Sequence, residues 1–358
     1  MNCASPISSC APTGNGDSRS VKSQPALERG RAADDRPPPV ELSVILQAGT
    51  RRDRAQRYLD SLLRQEAIGR MEILLLDYAA HSHGPLAGSE HPCVRRVKRD
   101  ALEPFGQGRA LAVWAAEGRV VAFIEDHCLA HAGWADSILA AHDRGWAGVG
   151  PEMHNANPGV GISDGVHLVN YARWLPPAEA GESDLIVGHN SSYLRSALLR
   201  YGVKLSTLLR CDVVLQWRLI RDGGTLGVSP DVKVSHMNET DIASLIKGAF
   251  LWNRMFAPTR AEAFGWSSAR LLLWLLLTPL IPVVRSVRLL AWTSNRRRAL
   301  LGAYLKNLPL LLVTHTAAAA GQIVGLAAGL GDAEVEFLRY EITQERLSGS
   351  DDRTIQPG

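Results

Sequence analysis

The chain runs to 358 residues with 46% hydrophobic content, enough for one large globular domain with an appendage or for two domains. Its formal net charge of +3 is too small to argue for a nucleic-acid partner, and none is expected. Five cysteines, Cys3, Cys10, Cys93, Cys128 and Cys211, form no spaced framework and leave one unpaired, which favours a reducing compartment.

Residues 1–40 are rich in Ser, Pro, Gly and charge and close on Pro37-Pro38-Pro39. Nothing in them offsets the entropy of ordering, so a disordered N-terminal tail is expected. They hold no apolar run of signal-peptide length, so export by that route is not expected. Leu42-Ser43-Val44-Ile45-Leu46 then reads as a first strand, left by the loop Gln47 to Thr50. From Arg54 to Gln65, apolar Ala55, Tyr58, Leu59, Leu62 and Leu63 fall at helical spacing. Glu72-Ile73-Leu74-Leu75-Leu76-Asp77 is a second strand, and its near-continuous apolar run suggests cover on both faces, as in parallel sheets. Gly108 to Glu117 reads as a helix ended by Gly118. Strand and helix alternating at this spacing argue for right-handed βαβ units and an α/β, doubly wound sheet.

The next strand, Val120-Val121-Ala122-Phe123-Ile124, stops abruptly on Glu125-Asp126-His127. Acids and a histidine at the carboxyl end of a strand stand where open α/β sheets place their ligands. Two carboxylates beside an imidazole also suit a divalent cation of the manganese or magnesium type; the alternative is a solvated turn. His127, Cys128 and His131 offer zinc ligand types too, but few other candidates lie close by in sequence. Gly133-Trp134 opens a helix to about Asp143, and a stretch rich in Gly, Asn and Pro follows Gly148. Gly188-His189-Asn190-Ser191-Ser192 precedes a helix from about Arg195; Asn190 and Arg195 are candidates for an acceptor side. Cys211-Asp212 precedes a short helix, Val213 to Arg221, in which Trp217 reads as core. Val232 to His236 reads as a strand, and Asp241 caps a helix from Ile242 to Phe256. No glycine-rich, lysine-bearing phosphate loop follows the first strand, which disfavours a nucleotidyltransferase.

Taken together, these residues resemble family-2 glycosyltransferases of the GT-A fold over about residues 42–256. The resemblance rests on five pieces in order. They are Ser43-Val44-Ile45 through Ser61 to Gln65, the strand ending at Asp77, Phe123-Ile124-Glu125-Asp126-His127-Cys128 with Gly133-Trp134, Cys211-Asp212 with Leu215 and Arg218-Leu219, and Ser235-His236. It implies a mainly parallel sheet flanked by helices and a hexosyltransferase-like enzyme. The donor would be a nucleotide sugar and the cofactor Mn2+ or Mg2+. Glu125, His127 and His236 would then be metal ligands, and Asp77, Glu125, Asp126 and Thr50 would contact the nucleotide. Asp212 would be the general base of an inverting transfer. The sequence departs from the family where Tyr78 follows Asp77, where His127 replaces a third acid and where Cys211 precedes Asp212. Those changes leave a second reading open, a degenerate member that binds a nucleotide or glycan without turnover.

Beyond the resemblance, Leu271 to Gly331 holds no Asp or Glu but carries Arg285, Arg288, Arg296, Arg297, Arg298 and Lys306. Leu271 to Val284 is uncharged but broken by two prolines and shorter than the ~20 residues of a spanning helix. Asn307 to Gly331 is long enough. If both crossed, the basic stretch between them would breach the positive-inside tendency. Interfacial helices whose arginines meet anionic headgroups fit better; a hydrophobic lid packed on the catalytic domain is the alternative. The expected division is therefore a GT-A domain at 41–257, a helical membrane-associated region at 258–335 and a C-terminal tail at 336–358. The protein is placed on the cytoplasmic face of a membrane, with a glycan or lipid-linked acceptor.

Overall fold

In the computed structural model, residues 39–99 and 101–343 are described. The expected N-terminal tail up to residue 38, and residues 344–358 of the C-terminal tail, lie outside them. The described chain builds a nine-stranded mixed sheet flanked by helices, the architecture expected from sequence.

β1 (Leu42–Ala48) is central, with α1 (Arg52–Leu63) leading to β2 (Met71–Asp77). β3 (Val94–Lys98), α2 (Phe105–Ala115) and β4 (Val120–Glu125) follow. β1 pairs in parallel with both β2 and β4, and β3 extends the ladder beyond β2. Every residue of β2 is buried, as a strand covered on both faces requires. Its one charge near the start, Glu72, accepts from Ser43 Oγ at 2.6 Å and from Arg95 and the Glu117 backbone N–H at 2.5 Å each. Those bonds make its burial tolerable. β3 escapes the sequence pattern because Val94-Arg95-Arg96-Val97-Lys98 has only two apolar residues, a composition suited to a charged sheet edge.

The second half adds β5 (Cys128–Ala130), α3 (Trp134–His142), β6 (Gly148–Asn155) and α4 (Ser163–Tyr171). After these come β7 (Gly181–Glu182), β8 (Ser192–Leu194), α5 (Asp212–Arg221) and β9 (Leu226–His236). The sheet order is β3-β2-β1-β4-β8-β6-β9-β5, with β7 also on β9. The long ladders are parallel, and every antiparallel pair involves the short β5, β7 or β8. β6 lies in the stretch that looked irregular. Its glycines serve close packing: a Cβ at Gly148 would stand 3.0 Å from the Tyr193 ring, and one at Gly150 2.7 Å from Ile186. Pro151 sits where the β6–β9 register shifts, a position proline tolerates. This order brings the carboxyl ends of β1, β2, β4, β6 and β9 to one rim.

α6 (Ile242–Ala263) begins at Asp241, whose carboxylate accepts from the Ser244 backbone N–H at 2.8 Å. α7 (Ser268–Leu277) and α8 (Ile281–Arg296) follow, joined by the turn Thr278–Leu280. α9 (Leu308–Ala328) lies along α6, and Gly321 and Gly325 abut the carbonyls of Phe250 and Arg254. Ser268–Arg296 and Leu308–Ala328 are both long and apolar enough to cross a membrane, the first mostly exposed and the second more buried. Arg297 turns back on the protein, its guanidinium donating to the carbonyls of Leu175, Pro176 and Pro177. α10 (Ala333–Ile342) packs on α6 and α2, with Phe337 edge-on to Phe105 at 5.2 Å. Its end, at Ile342, lies against Gly49 in the loop leaving β1.

Candidate metal and substrate site

β4 and β9 set the site. The antiparallel β5–β9 register pairs Cys128 with His236, so His127, one residue earlier, comes beside His236 at the rim. Their Nε2 atoms are 3.2 Å apart, and they stand 3.3 Å and 3.4 Å from Glu125 Oε2. Cys128 Sγ lies 3.8 Å from the same oxygen, so Glu125, His127, Cys128 and His236 form one compact cluster of ligand types.

The rings are oriented from behind. His127 Nδ1 faces Asp126 Oδ1 at 3.3 Å, and His236 Nδ1 faces Asn238 Oδ1 at 3.0 Å. An acceptor at each Nδ1 assigns the proton there and leaves each neutral ring with a lone pair on Nε2. Two such lone pairs and a carboxylate oxygen converge on one point. That donor set fits a divalent cation, and it reproduces the oxygen–histidine–metal pattern of supported sites. Without a cation the same rings can turn protons to Glu125. Burial alone would raise its pKa, but positive charge on His189 and His127 and hydrogen bonds from His127 and His236 hold the carboxyl well below its ordinary range.

Asn190 and His189 complete the cluster. Asn190 adopts a left-handed backbone, φ 61°, a region asparagine tolerates better than most residues. Its amide donates to Glu125 Oε2 at 3.3 Å while its carbonyl oxygen accepts the Glu125 backbone N–H at 3.4 Å. His189 Nδ1 is 3.8 Å from Glu125 Oε1, its ring stacks on His236 at 5.6 Å, and its Nε2 meets the Tyr171 hydroxyl at 2.6 Å. Sequence reasoning offers Asn190 for the acceptor side and sees His189 only as part of a small, polar run; the structure brings both to Glu125.

Asp212, the first residue of α5, is buried. Arg109 donates to its Oδ1 at 2.7 Å and lies over the Phe123 ring at 4.2 Å. Its Oδ2 faces Gly188, where a Cβ would stand 3.6 Å away. Asp212 and His189 both line a cavity of about 440 Å³ between the sheet domain and α6, α8, α9 and α10. A smaller cavity of about 30 Å³, walled by Gln47, Arg109, Glu125, His127 and Ile342, also includes His189. Glu341 borders both as well, so the two spaces meet at His189 and Glu341.

The other candidates stand apart from this convergence. Asp77, at the end of β2, receives Arg52 on both oxygens at 2.7 Å and 2.9 Å, and Arg52 also donates to the Gly84 carbonyl. Thr50 is exposed in the loop before α1, its carbonyl accepting the Arg52 backbone N–H. Asp126 borders the small cavity beside His127 and has Arg54 3.5 Å from its carboxylate. Arg195, a candidate for the acceptor side, turns instead to the carbonyls of Val113 and Trp114 at the end of α2. Trp217 is half-buried and lines the large cavity.

No family model and no curated protein matches the chain. Solved structures do. The mannosyltransferase PcManGT from Pyrobaculum calidifontis, in complex with GDP-Man and Mn2+, matches 81% of this chain and 90% of its own at 17% identity and a TM-score of 0.53. S. aureus TarS 1-349 matches 77% of this chain and 90% of its own, at 14% identity and a TM-score of 0.41. GalNAc-T7 with UDP, GalNAc and Mn2+ matches 64% and 52%, at 14% identity and a TM-score of 0.40. The likeness to the first of these shows that the chain shares its fold.

Proposed function

We propose that this chain is a glycosyltransferase of the family-2 type. It moves a hexosyl group from a nucleotide-sugar donor to an acceptor hydroxyl, with inversion at the anomeric carbon. The observation that carries the reading is the meeting of Glu125, His127 and His236 at the carboxyl rim of the sheet, one histidine away from the cavity that Asp212 lines. The likeness in fold to a mannosyltransferase solved with GDP-Man and Mn2+ supports it.

The acceptor oxygen attacks the anomeric carbon, the carbon–oxygen bond to the diphosphate breaks, and the electron pair leaves with the diphosphate. The hydroxyl proton passes to Asp212 Oδ2, which Arg109 orients through Oδ1. Glu125, His127 and His236 would hold the cation, which when bound supplies neutralising charge for the departing diphosphate. Two imidazole nitrogens are softer ligands than the all-oxygen shell of Mg2+, so of the two candidates Mn2+ is the better match. Thr50, Asp77 and Asp126 remain the nucleotide-side residues; Asp77 acts through Arg52 and Asp126 through His127.

The catalytic domain spans 41–257 and the helical region 258–335 attaches it to the cytoplasmic face of a membrane. Support comes from the exposed apolar side chains of α7 and α8.

A thermal-shift panel of nucleotide sugars with and without Mn2+ tests the reading. A matching donor raises the melting point only with the metal, by mass action. Glu125→Ala abolishes that shift, whereas Asp212→Asn keeps it and lowers transfer by about 10²–10⁴-fold. A panel without any stabilising donor would count against the whole proposal. The buried Arg109–Asp212 pair favours the second reading, binding without turnover; a metal-dependent donor shift with no transfer or hydrolysis, unchanged by Asp212→Asn, would leave only that one.

A further inference from the structure

The large cavity has one arginine among the described residues of its wall. It is Arg285, on α8, in a lining that also includes Asp212. Among the described residues its guanidinium has neither a hydrogen-bond acceptor nor a carboxylate in ion-pair range, and no acid occurs in sequence from Leu271 to Gly331. His315 on α9 stands beside it and is bonded to Ser286 Oγ at 3.2 Å. The acids that share the cavity, Asp212, Glu239 and Glu341, lie on other elements, and the Tyr340 hydroxyl is 3.0 Å from Glu239 Oε1. A guanidinium with no carboxylate in ion-pair range is suited to an anion, and a phosphate oxygen pair matches its fork.

Size and surroundings narrow the ligand. About 440 Å³ accommodates a head group or a sugar with a phosphate, within the usual range for small-molecule sites, but not a long chain as well. Trp217, Trp252 and Phe256 wall the space, and such faces pack against apolar or sugar-ring surface. Outside it, α8 presents Val283, Val284 and Val287, all exposed, continuous through Leu280 of the turn with Leu272, Leu273, Leu276 and Leu277 on α7. An acceptor rooted in a membrane would have its anionic group at Arg285 and its apolar part on that face.

We infer that this cavity is an acceptor subsite and that its acceptor is a phosphate-bearing amphiphile. The phosphate docks on Arg285, the hydroxyl-bearing part points to Asp212, and the apolar chain leaves along α7 and α8. The role as acceptor rests on the glycosyltransferase reading; the anion subsite does not.

The test titrates the full chain with octyl phosphate below its micellar concentration, with octanol and with inorganic phosphate. Tryptophan emission is read, since Trp174, Trp217 and Trp252 line the cavity. Octyl phosphate is expected to bind at least tenfold more tightly than inorganic phosphate. Arg285→Gln is expected to weaken it about tenfold or more, Arg285→Lys to restore part of the loss, and octanol to be indifferent to both changes. Mn2+-dependent nucleotide-sugar binding by Arg285→Gln checks that the variant is folded; if it is not, the Lys variant carries the comparison. Equal octyl phosphate affinity with and without the Arg285 guanidinium, or inorganic phosphate binding as tightly as the amphiphile, overturns the inference. So does absent octyl phosphate binding in a chain that binds a donor, and this leaves glycosyl transfer standing. Octyl phosphate binding in a chain that binds no donor removes the acceptor role and leaves the anion subsite.

Discussion

Asp126 is not one of the clustered ligand types, yet His127 depends on it. Its Oδ1 faces His127 Nδ1, and Arg54 steadies the carboxylate from behind. Asn238 plays the same part for His236. Removing either acceptor frees the ring to rotate or to move its proton to Nε2, where it would block a metal ion. Asp126→Ala and Asn238→Ala should therefore each weaken Mn2+ binding about 10–100-fold, read by calorimetric titration. Asp126→Ala should also lower the melting point, because it leaves buried Arg54 without its carboxylate. Unchanged affinity in both would mean that packing alone sets the rings. At this scale the sequence exposes Glu125 and His127 directly, because a buried strand that ends on charge is conspicuous. His236 needed the resemblance. Asn190 is singled out for the acceptor side and not for Glu125, and His189 is not legible, since each meets Glu125 from 65 or 64 residues away through the sheet order. Asn238 gains its role from His236, two residues before it, only once His236 is placed at the rim.

Elements with a complete burial pattern were legible, and those defined by a partner were not. β1, β2 and β4 announce themselves through runs of buried apolar residues. β5 and β8, three residues each, have too few positions to show any period, and β6 is masked by glycine and proline. The α6–α9 contact is a similar case. Gly321 and Gly325 read as helix-weakening residues, but their missing side chains let α9 settle on the carbonyls of Phe250 and Arg254. Gly321→Ala should improve local helix propensity by up to about 1 kcal/mol and still destabilise the protein. Pushing backbone against backbone costs about 1–3 kcal/mol, and the carbonyl cannot swing aside as a side chain would. Chemical unfolding of the variant measures the balance; a gain in stability would mean that the two helices separate without loss.

The whole molecule carries two exposures to its surroundings, one to acid and one to lipid. His142 is buried between the Trp146 carbonyl and Ser192 Oγ, at 2.9 Å from each, and burial holds its pKa down at about 4. His167, buried beside the Met153 carbonyl, is likewise lowered to about 4. Unfolded histidine titrates near 6.5, so stability from these two neutral rings is complete above about pH 6.5 and is lost as pH falls toward about 4. The loss is of order 3 kcal/mol for each ring at most, and His142→Gln should flatten the fall in melting point over that window. The lipid exposure is larger in area. Leu272, Leu276 and Val283 are 58%, 68% and 60% exposed, on helices that carry arginines and no acid. Water gains nothing from such a surface, whereas a bilayer interface would cover it, and each side chain is worth about 1.5 kcal/mol when buried. Replacing all three by Glu removes that burial and opposes the anionic headgroups, so partitioning to phosphatidylserine-containing vesicles should fall at least about a hundredfold. The melting point should stay within a degree or two, because these side chains pack on little else. If the apolar face served instead to bind a second copy of the chain, the triple variant would change sedimentation and leave vesicle binding as it was.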